Sequence, residues 1–127
     1  MKGRLLIVED QPDIRKLIRM TLEFEGYDLL EAENGADGLR LAQTARPTIM
    51  LLDVMMPGEL DGYQVCERVK KDPELAGTKV VLLTARGQAA DLETGKRVGA
   101  DAYLVKPFSP LELIDTIDRF TPTAATA

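Results

Sequence analysis

Residues 49–52, Ile-Met-Leu-Leu, form an unbroken apolar run that turns polar at Asp53 and is closed by Pro57 and Gly58. A short run with no polar face suits a strand buried on both sides, as in a parallel sheet covered by helices. An aspartate directly after such a run sits where a central strand leaves its sheet. In open α/β sheets, ligands and chemistry collect at that carboxyl edge.

The rest of the chain repeats the pattern. Residues 5–8 form a second buried run, opening onto Glu9 and Asp10. Pro12 suits a first helical turn and Asp13 favours the helix's positive end. Ile14, Leu17, Ile18 and Leu22 recur at helical spacing, so a helix is expected to about Glu25, stopped by Gly26. Residues 27–32 read as a more polar edge strand. Asn34 can cap a second helix carrying Leu39 and Ala42 inward and ending before Pro47. Asp61 can cap a third helix bearing Val65, Cys66 and Val69, stopped at Asp72-Pro73.

Residues 79–83 form another buried run, ending at Thr84. A weakly patterned helix over 88–98 follows, with Gly95 inside it and Gly99 at its end. Residues 102–105 are the fifth strand, ending at Lys106-Pro107. Ser109, Pro110 and Glu112 make a capping box for a last helix with Leu113, Ile114 and Ile117 inward. The segment 121–127 is expected to be a flexible tail, and its small residues look like a natural end. One domain over residues 1–120 follows, with no repeat and no linker.

Five strands alternating with five helices predict a flavodoxin-like, doubly wound (βα)5 fold with a five-stranded parallel sheet in the order 2-1-3-4-5. Composition narrows the chemistry. The net charge of −5 argues against non-specific nucleic-acid binding. There is no histidine, which excludes Ser/His/Asp and Cys/His triads, and the single cysteine argues against a zinc site. Cys66 reads as a small buried helix residue, and one cysteine fits a reducing cytoplasm. No run approaches a membrane span, and the N-terminus lacks a signal-peptide core.

In the expected topology Glu9, Asp10, Asp53, Thr84 and Lys106 meet at one rim. Two unit charges about 4 Å apart repel by roughly 4 kcal/mol at an effective dielectric of 20, so three carboxylates need compensation. Lys106 can neutralise one charge, and a hard cation that keeps several waters, Mg²⁺, suits the rest. A solvated acidic rim is the plain alternative, but five strand-ending polar residues argue against it. A carboxylate beside a metal and an ammonium can act as a nucleophile towards phosphorus, with the Thr84 hydroxyl as a further donor.

The pieces IVED, LLDVMMPG with DG around Asp53, LLTA at Thr84 and GADAYLVKPF at Lys106, in this order and spacing, resemble the receiver domains of two-component response regulators, single-domain chemotaxis regulators included. The resemblance runs from about Arg4 to Phe120. It implies that Asp53 accepts a phosphoryl group from a phosphohistidine on a histidine kinase or a histidine phosphotransfer protein. It implies Mg²⁺ held by Asp10, Asp53 and the backbone carbonyl of Met55, with Glu9 acting mostly through water.

Lys106 would pair with the phosphoryl oxygens and be joined to Pro107 by a cis bond. Thr84 would swing in to hydrogen-bond the phosphoryl group, and Tyr103 matches the aromatic switch position. The output would be a shift of the face formed by the fourth helix, fifth strand and fifth helix towards a downstream protein partner, with the chain a monomer or a phosphorylation-dependent dimer, cytoplasmic, with no direct nucleic-acid contact and no membrane insertion. Gly95 is expected to loosen the fourth helix on that face, so that Gly95→Ala slows amide exchange there.

One departure stands out. The family usually carries M-P-x-M-D-G after its phosphoacceptor, and here Met56-Pro57-Gly58-Glu59-Leu60-Asp61-Gly62 is one residue longer. The metal ligands precede the extra residue. Met55 and Arg86 occupy the family's rate-tuning positions. A stand-alone regulator, a phosphorelay shuttle and a fragment of a longer regulator all fit.

Alternatives from other classes are a small flavodoxin-like flavin-binding protein and a haloacid-dehalogenase-like Mg²⁺-dependent phosphatase. The turn after the first strand, EDQPD, is acidic and glycine-free, which disfavours the first. It also lacks the D-x-D that the second needs. A receiver that binds partners without phosphorylation is disfavoured because every expected site residue is present.

Overall fold

Alternate side chains along the apolar runs part to opposite faces of one sheet, and this decides the layering. The computed structural model describes residues 3–56, 58–85 and 89–120, with the backbone alone at 89–91. The elements are β1 (Arg4–Val8), α1 (Pro12–Leu22), β2 (Asp28–Ala32), α2 (Gly35–Ala45), β3 (Ile49–Asp53), α3 (Gly62–Lys71), a 3-10 turn (Pro73–Leu75), β4 (Lys79–Thr84), α4 (Ala89–Arg97), β5 (Ala102–Val105) and α5 (Pro110–Asp118). All pairings are parallel, in the order β2-β1-β3-β4-β5 expected from the sequence.

Leu6, Val8, Met50, Leu52, Val80 and Leu82 face one side, packed with residues of α2 and α3. Leu5, Ile7, Ile49, Leu51, Val81 and Leu83 face the other, packed with residues of α1 and α5. Every residue of β3 is buried, because this central strand is covered on both faces. β2 lies at the edge and is the most polar strand, as its sequence suggested.

The helix starts follow local chemistry. Asn34 accepts from the Asp37 N–H at 2.8 Å. Asp61 and Gln64 form one capping box, Ser109 and Glu112 another. Two local details differ from expectation. α1 stops at Leu22 rather than near Glu25, where the Glu25 N–H bonds back to Leu22 O at 3.0 Å. The turn Pro73–Leu75 was not expected; Asp72 caps it by accepting from the Glu74 N–H at 2.9 Å, and Leu75 drops into the core.

At the edge of the sheet opposite Asp53, Lys70 Nζ lies 2.6 Å from Asp101 Oδ2 and donates to Thr78 O at 2.8 Å. The same Asp101 oxygen accepts from the Val80 N–H at 2.8 Å. This clamp ties α3 to the starts of β4 and β5. Asp101→Ala leaves the Val80 N–H without its acceptor and Lys70 with Thr78 O alone, an expected loss of about 2 kcal/mol in urea unfolding, below the fully buried range because both side chains keep some exposure. Lys70→Met with Asp101→Ala together should cost less than the sum of the two. Pro57, Arg86, Gln88 and residues 121–127 lie outside the described residues, so the rate-tuning position Arg86 and the expected tail belong there.

Candidate functional site

The carboxyl ends of four strands share one rim because all strands are parallel. Glu9 and Asp10 follow β1, Asp53 ends β3, Thr84 ends β4, and Lys106 follows β5. Carboxylate oxygens of Glu9, Asp10 and Asp53 lie within 4.8 Å of one another. Lys106 Nζ reaches two of them, 2.7 Å from Glu9 Oε1 and 3.3 Å from Asp53 Oδ2. The expected single neutralisation is therefore a shared one. Glu9 is fully buried beneath the cluster and Asp53 is 3% exposed, so the lysine charge works in a poorly solvated place.

Backbone donors complete the frame. The Gln11 N–H points to Glu9 Oε2 at 3.2 Å, and the Met55 N–H to Asp53 Oδ1 at 3.1 Å. The Lys106 N–H bonds Thr84 O at 2.6 Å, fixing where the lysine leaves the sheet. Gly62 lies against the strand end: a Cβ there would fall inside contact of Asp53 O and 2.6 Å from Val54 Cα. Glycine in the DG pair thus lets α3 begin directly on the backbone that carries Asp53.

Three polar side-chain atoms in this region are buried without a hydrogen-bond partner: Glu9 Oε1, Asp10 Oδ1 and Thr84 Oγ1. Glu9 Oε1 has its ion pair with Lys106 but not hydrogen-bond alignment. Burial first, then the hydrogen bond and charge of Asp53, push Glu9 from 4.5 up to about 7, while Lys106 and the Gln11 N–H pull the other way. Unsatisfied acceptors around an excess of negative charge are what an oxygen-liganded divalent cation relieves. The donor set is all oxygen, which suits Mg²⁺ rather than a softer metal.

Arg15 is a residue that the sequence reading did not single out. Its Nη1 donates to Glu9 O at 2.8 Å, and its guanidinium also meets Glu31 at 3.3 Å and Glu33 at 3.4 Å. It pins the β1–α1 turn to the end of β2. Its position one helical turn past Gln11 was the available signal. The longer loop after Asp53 runs beside the site: Gly58 and Glu59 line a recess of about 460 Å³ together with Asp10, Glu33 and Asn34. Leu60 packs back on the core. The Met55 side chain, next to Asp53, is 72% exposed. Cys66 is buried in α3, and burial pushes its thiol up to about 12.

Residues 5–118 match the response regulator receiver domain family. The chain belongs to that family. Its relatives include a probable transcriptional regulator, ycf27, of Guillardia theta, 44% identical over 88% of this chain and 42% of that protein. Another is the transcriptional regulatory protein ResD of Bacillus subtilis, 42% identical over 87% of this chain and 45% of that protein. This chain thus spans less than half the length of the curated relatives named here.

Among solved structures, the chemotaxis protein CheY4 of Vibrio cholerae aligns with a TM-score of 0.88 at 32% identity, covering 94% of this chain and 99% of that one. The receiver domain of sensor histidine kinase PA1611 from Pseudomonas aeruginosa, solved with a magnesium ion coordinated in its active-site cleft, aligns with a TM-score of 0.85 at 28% identity, covering 94% and 98%.

This receiver domain is a signalling protein, and receiver domains interact with histidine kinases. Its Glu9, Asp10 and Asp53 cluster fits the metal and phospho-aspartate site of the family. The flavin-binding and phosphatase alternatives find no support in these comparisons. Nor does the expected lack of nucleic-acid contact, since relatives are named transcriptional regulators. No helix among the described residues is long and apolar enough to cross a membrane.

Proposed function

We propose that Asp53 is the phosphoacceptor of this receiver, taking a phosphoryl group from a phosphohistidine of a histidine kinase or histidine phosphotransfer protein. An Asp53 carboxylate oxygen attacks phosphorus, the phosphorus–nitrogen bond breaks, and its electron pair stays on the imidazole nitrogen. Asp10, Asp53 and the backbone carbonyl of Met55 would hold Mg²⁺, with Glu9 acting through water. Bound there, the ion supplies positive charge against the transferring phosphoryl oxygens.

Lys106, already 3.3 Å from Asp53 Oδ2, pairs with one phosphoryl oxygen. The Thr84 hydroxyl donates to another. The observation that carries this reading is the buried Asp53 with an ammonium group on one side and the partnerless Asp10 Oδ1 and Thr84 Oγ1 nearby.

Filling Thr84's unmet bond draws its side chain inward and biases Tyr103 and the α4-β5-α5 face, the surface read by a protein partner. The domain comprises residues 1–120 and acts in the cytoplasm. A groove of about 360 Å³ beside Lys106, lined by Ile14, Leu17 and Phe108, offers the phosphodonor an apolar foothold. A transcriptional output is a second reading, favoured by the relatives' names and their greater length.

Intact mass after incubation with a small acyl phosphate, with and without Mg²⁺, tests the proposal. The expected result is a phosphoryl adduct that needs Mg²⁺. No adduct, together with no Mg²⁺-dependent binding of beryllofluoride, would overturn it.

A further inference from the structure

Gly95 is a buried residue of α4, set against Tyr103 of β5. A Cβ there would fall inside contact of Tyr103 Cε1, with Cζ and Oη both at 3.0 Å. Tyr103 Oη donates to Leu92 O on the same helix at 3.3 Å. The half-buried ring, packed against the core, thus rests on bare α4 backbone at Gly95. On the adjoining strand Leu82 pairs with Tyr103, and Thr84 lies two residues further towards the rim on the same face. In this arrangement Thr84 Oγ1 is buried and unpartnered.

We propose that Gly95 is a positioning residue for the Tyr103 switch: the missing side chain makes a notch that holds the ring against α4 while Thr84 is unsatisfied. The inference rests on the phosphoacceptor reading and names the residue that tunes it. An arrangement in which the ring leaves the notch loses its contact with α4 and the Leu92 bond. A methyl group at position 95 penalises only the arrangement with the ring in the notch. The equilibrium then moves towards the displaced ring, and by linkage a phosphoryl mimic on Asp53, which satisfies Thr84, binds more tightly.

This revises the role expected for Gly95 from helix propensity. Propensity acts through α4 alone and is indifferent to Tyr103. The notch acts only through the ring.

The test is a beryllofluoride titration of the full chain with Mg²⁺ for wild type, Gly95→Ala, Tyr103→Ala and the double variant. Gly95→Ala is expected to tighten binding several-fold when Tyr103 is present and to have no effect in the Tyr103→Ala background. Urea unfolding gives a second readout that changes sign. Gly95→Ala should lower the midpoint with Tyr103 present and raise it in the Tyr103→Ala background, where only helix propensity remains. Weaker mimic binding by Gly95→Ala, or the same change in both backgrounds, overturns the proposal. Wild type that binds no beryllofluoride and forms no phosphoryl adduct would instead remove the phosphoacceptor reading, and this inference with it.

Discussion

Asp53→Asn is expected to abolish the proposed Mg²⁺-dependent phosphoryl adduct and, in the metal-free protein, to stabilise the fold at pH 8. The first effect follows because an amide is not the anionic nucleophile that attack on phosphorus requires. The second follows from the electrostatics beneath it. Burial, and then the hydrogen bond and charge of Asp53, push Glu9 up from 4.5 to about 7. A carboxyl whose folded value is raised gives stability that is present in full below 4.5 and is lost as pH rises through about 7.

The wild-type, metal-free domain should therefore lose stability between pH 5 and pH 8. Asparagine removes the charge that adds to burial, while its Oδ1 still accepts from the Met55 N–H. The loss with pH should shrink, so the variant should gain stability relative to wild type between pH 5 and pH 8. Urea unfolding of both proteins at the two pH values, with Mg²⁺ chelated, measures this. Identical pH slopes would mean that Asp53 does not set the ionisation of Glu9.

Lys106→Met is expected to act in the opposite sense. Lys106 Nζ lies 2.7 Å from Glu9 and 3.3 Å from Asp53, and both carboxylates are buried. Methionine keeps the apolar stem and removes the only cation that the structure places within ion-pair distance of either carboxylate among the described residues. Stranding a buried charge costs about 3 kcal/mol. The cost should be near that value at pH 8 and clearly smaller at pH 5, where Glu9 carries its proton. Adding Mg²⁺ at pH 8 should recover part of it. The adduct should form far more slowly, since the phosphoryl oxygens lose their fixed cation. Equal stability at pH 8 would show that the acidic cluster does not depend on Lys106.

These two variants bear on residues that the chain's order alone made visible. Each apolar run ended on a polar residue, and parallel strands must deliver their ends to one edge, so Glu9, Asp10, Asp53, Thr84 and Lys106 could be grouped without coordinates. Caps at Asn34, Asp61 and Ser109 were equally legible, because a cap is a contact between residues three apart. Arg15 was not, since its partners, Glu31 on β2 and Glu33 just after it, meet it only when β1 and β2 pair. The Lys70–Asp101 clamp was hidden for the same reason.

Periodicity and strand-end chemistry determined the architecture, the order of the sheet and the membership of the rim, because burial on two faces and right-handed crossovers leave little choice. Only the tertiary structure decided how the charges are shared. It put Glu9 under the cluster with Lys106 between it and Asp53, and left Thr84 Oγ1 unpartnered. It also turned Gly95 from a weak helix residue into the seat of the Tyr103 ring. Those outcomes depend on burial and on distances of a few ångströms between residues far apart in the chain, and neither quantity is carried by a local pattern.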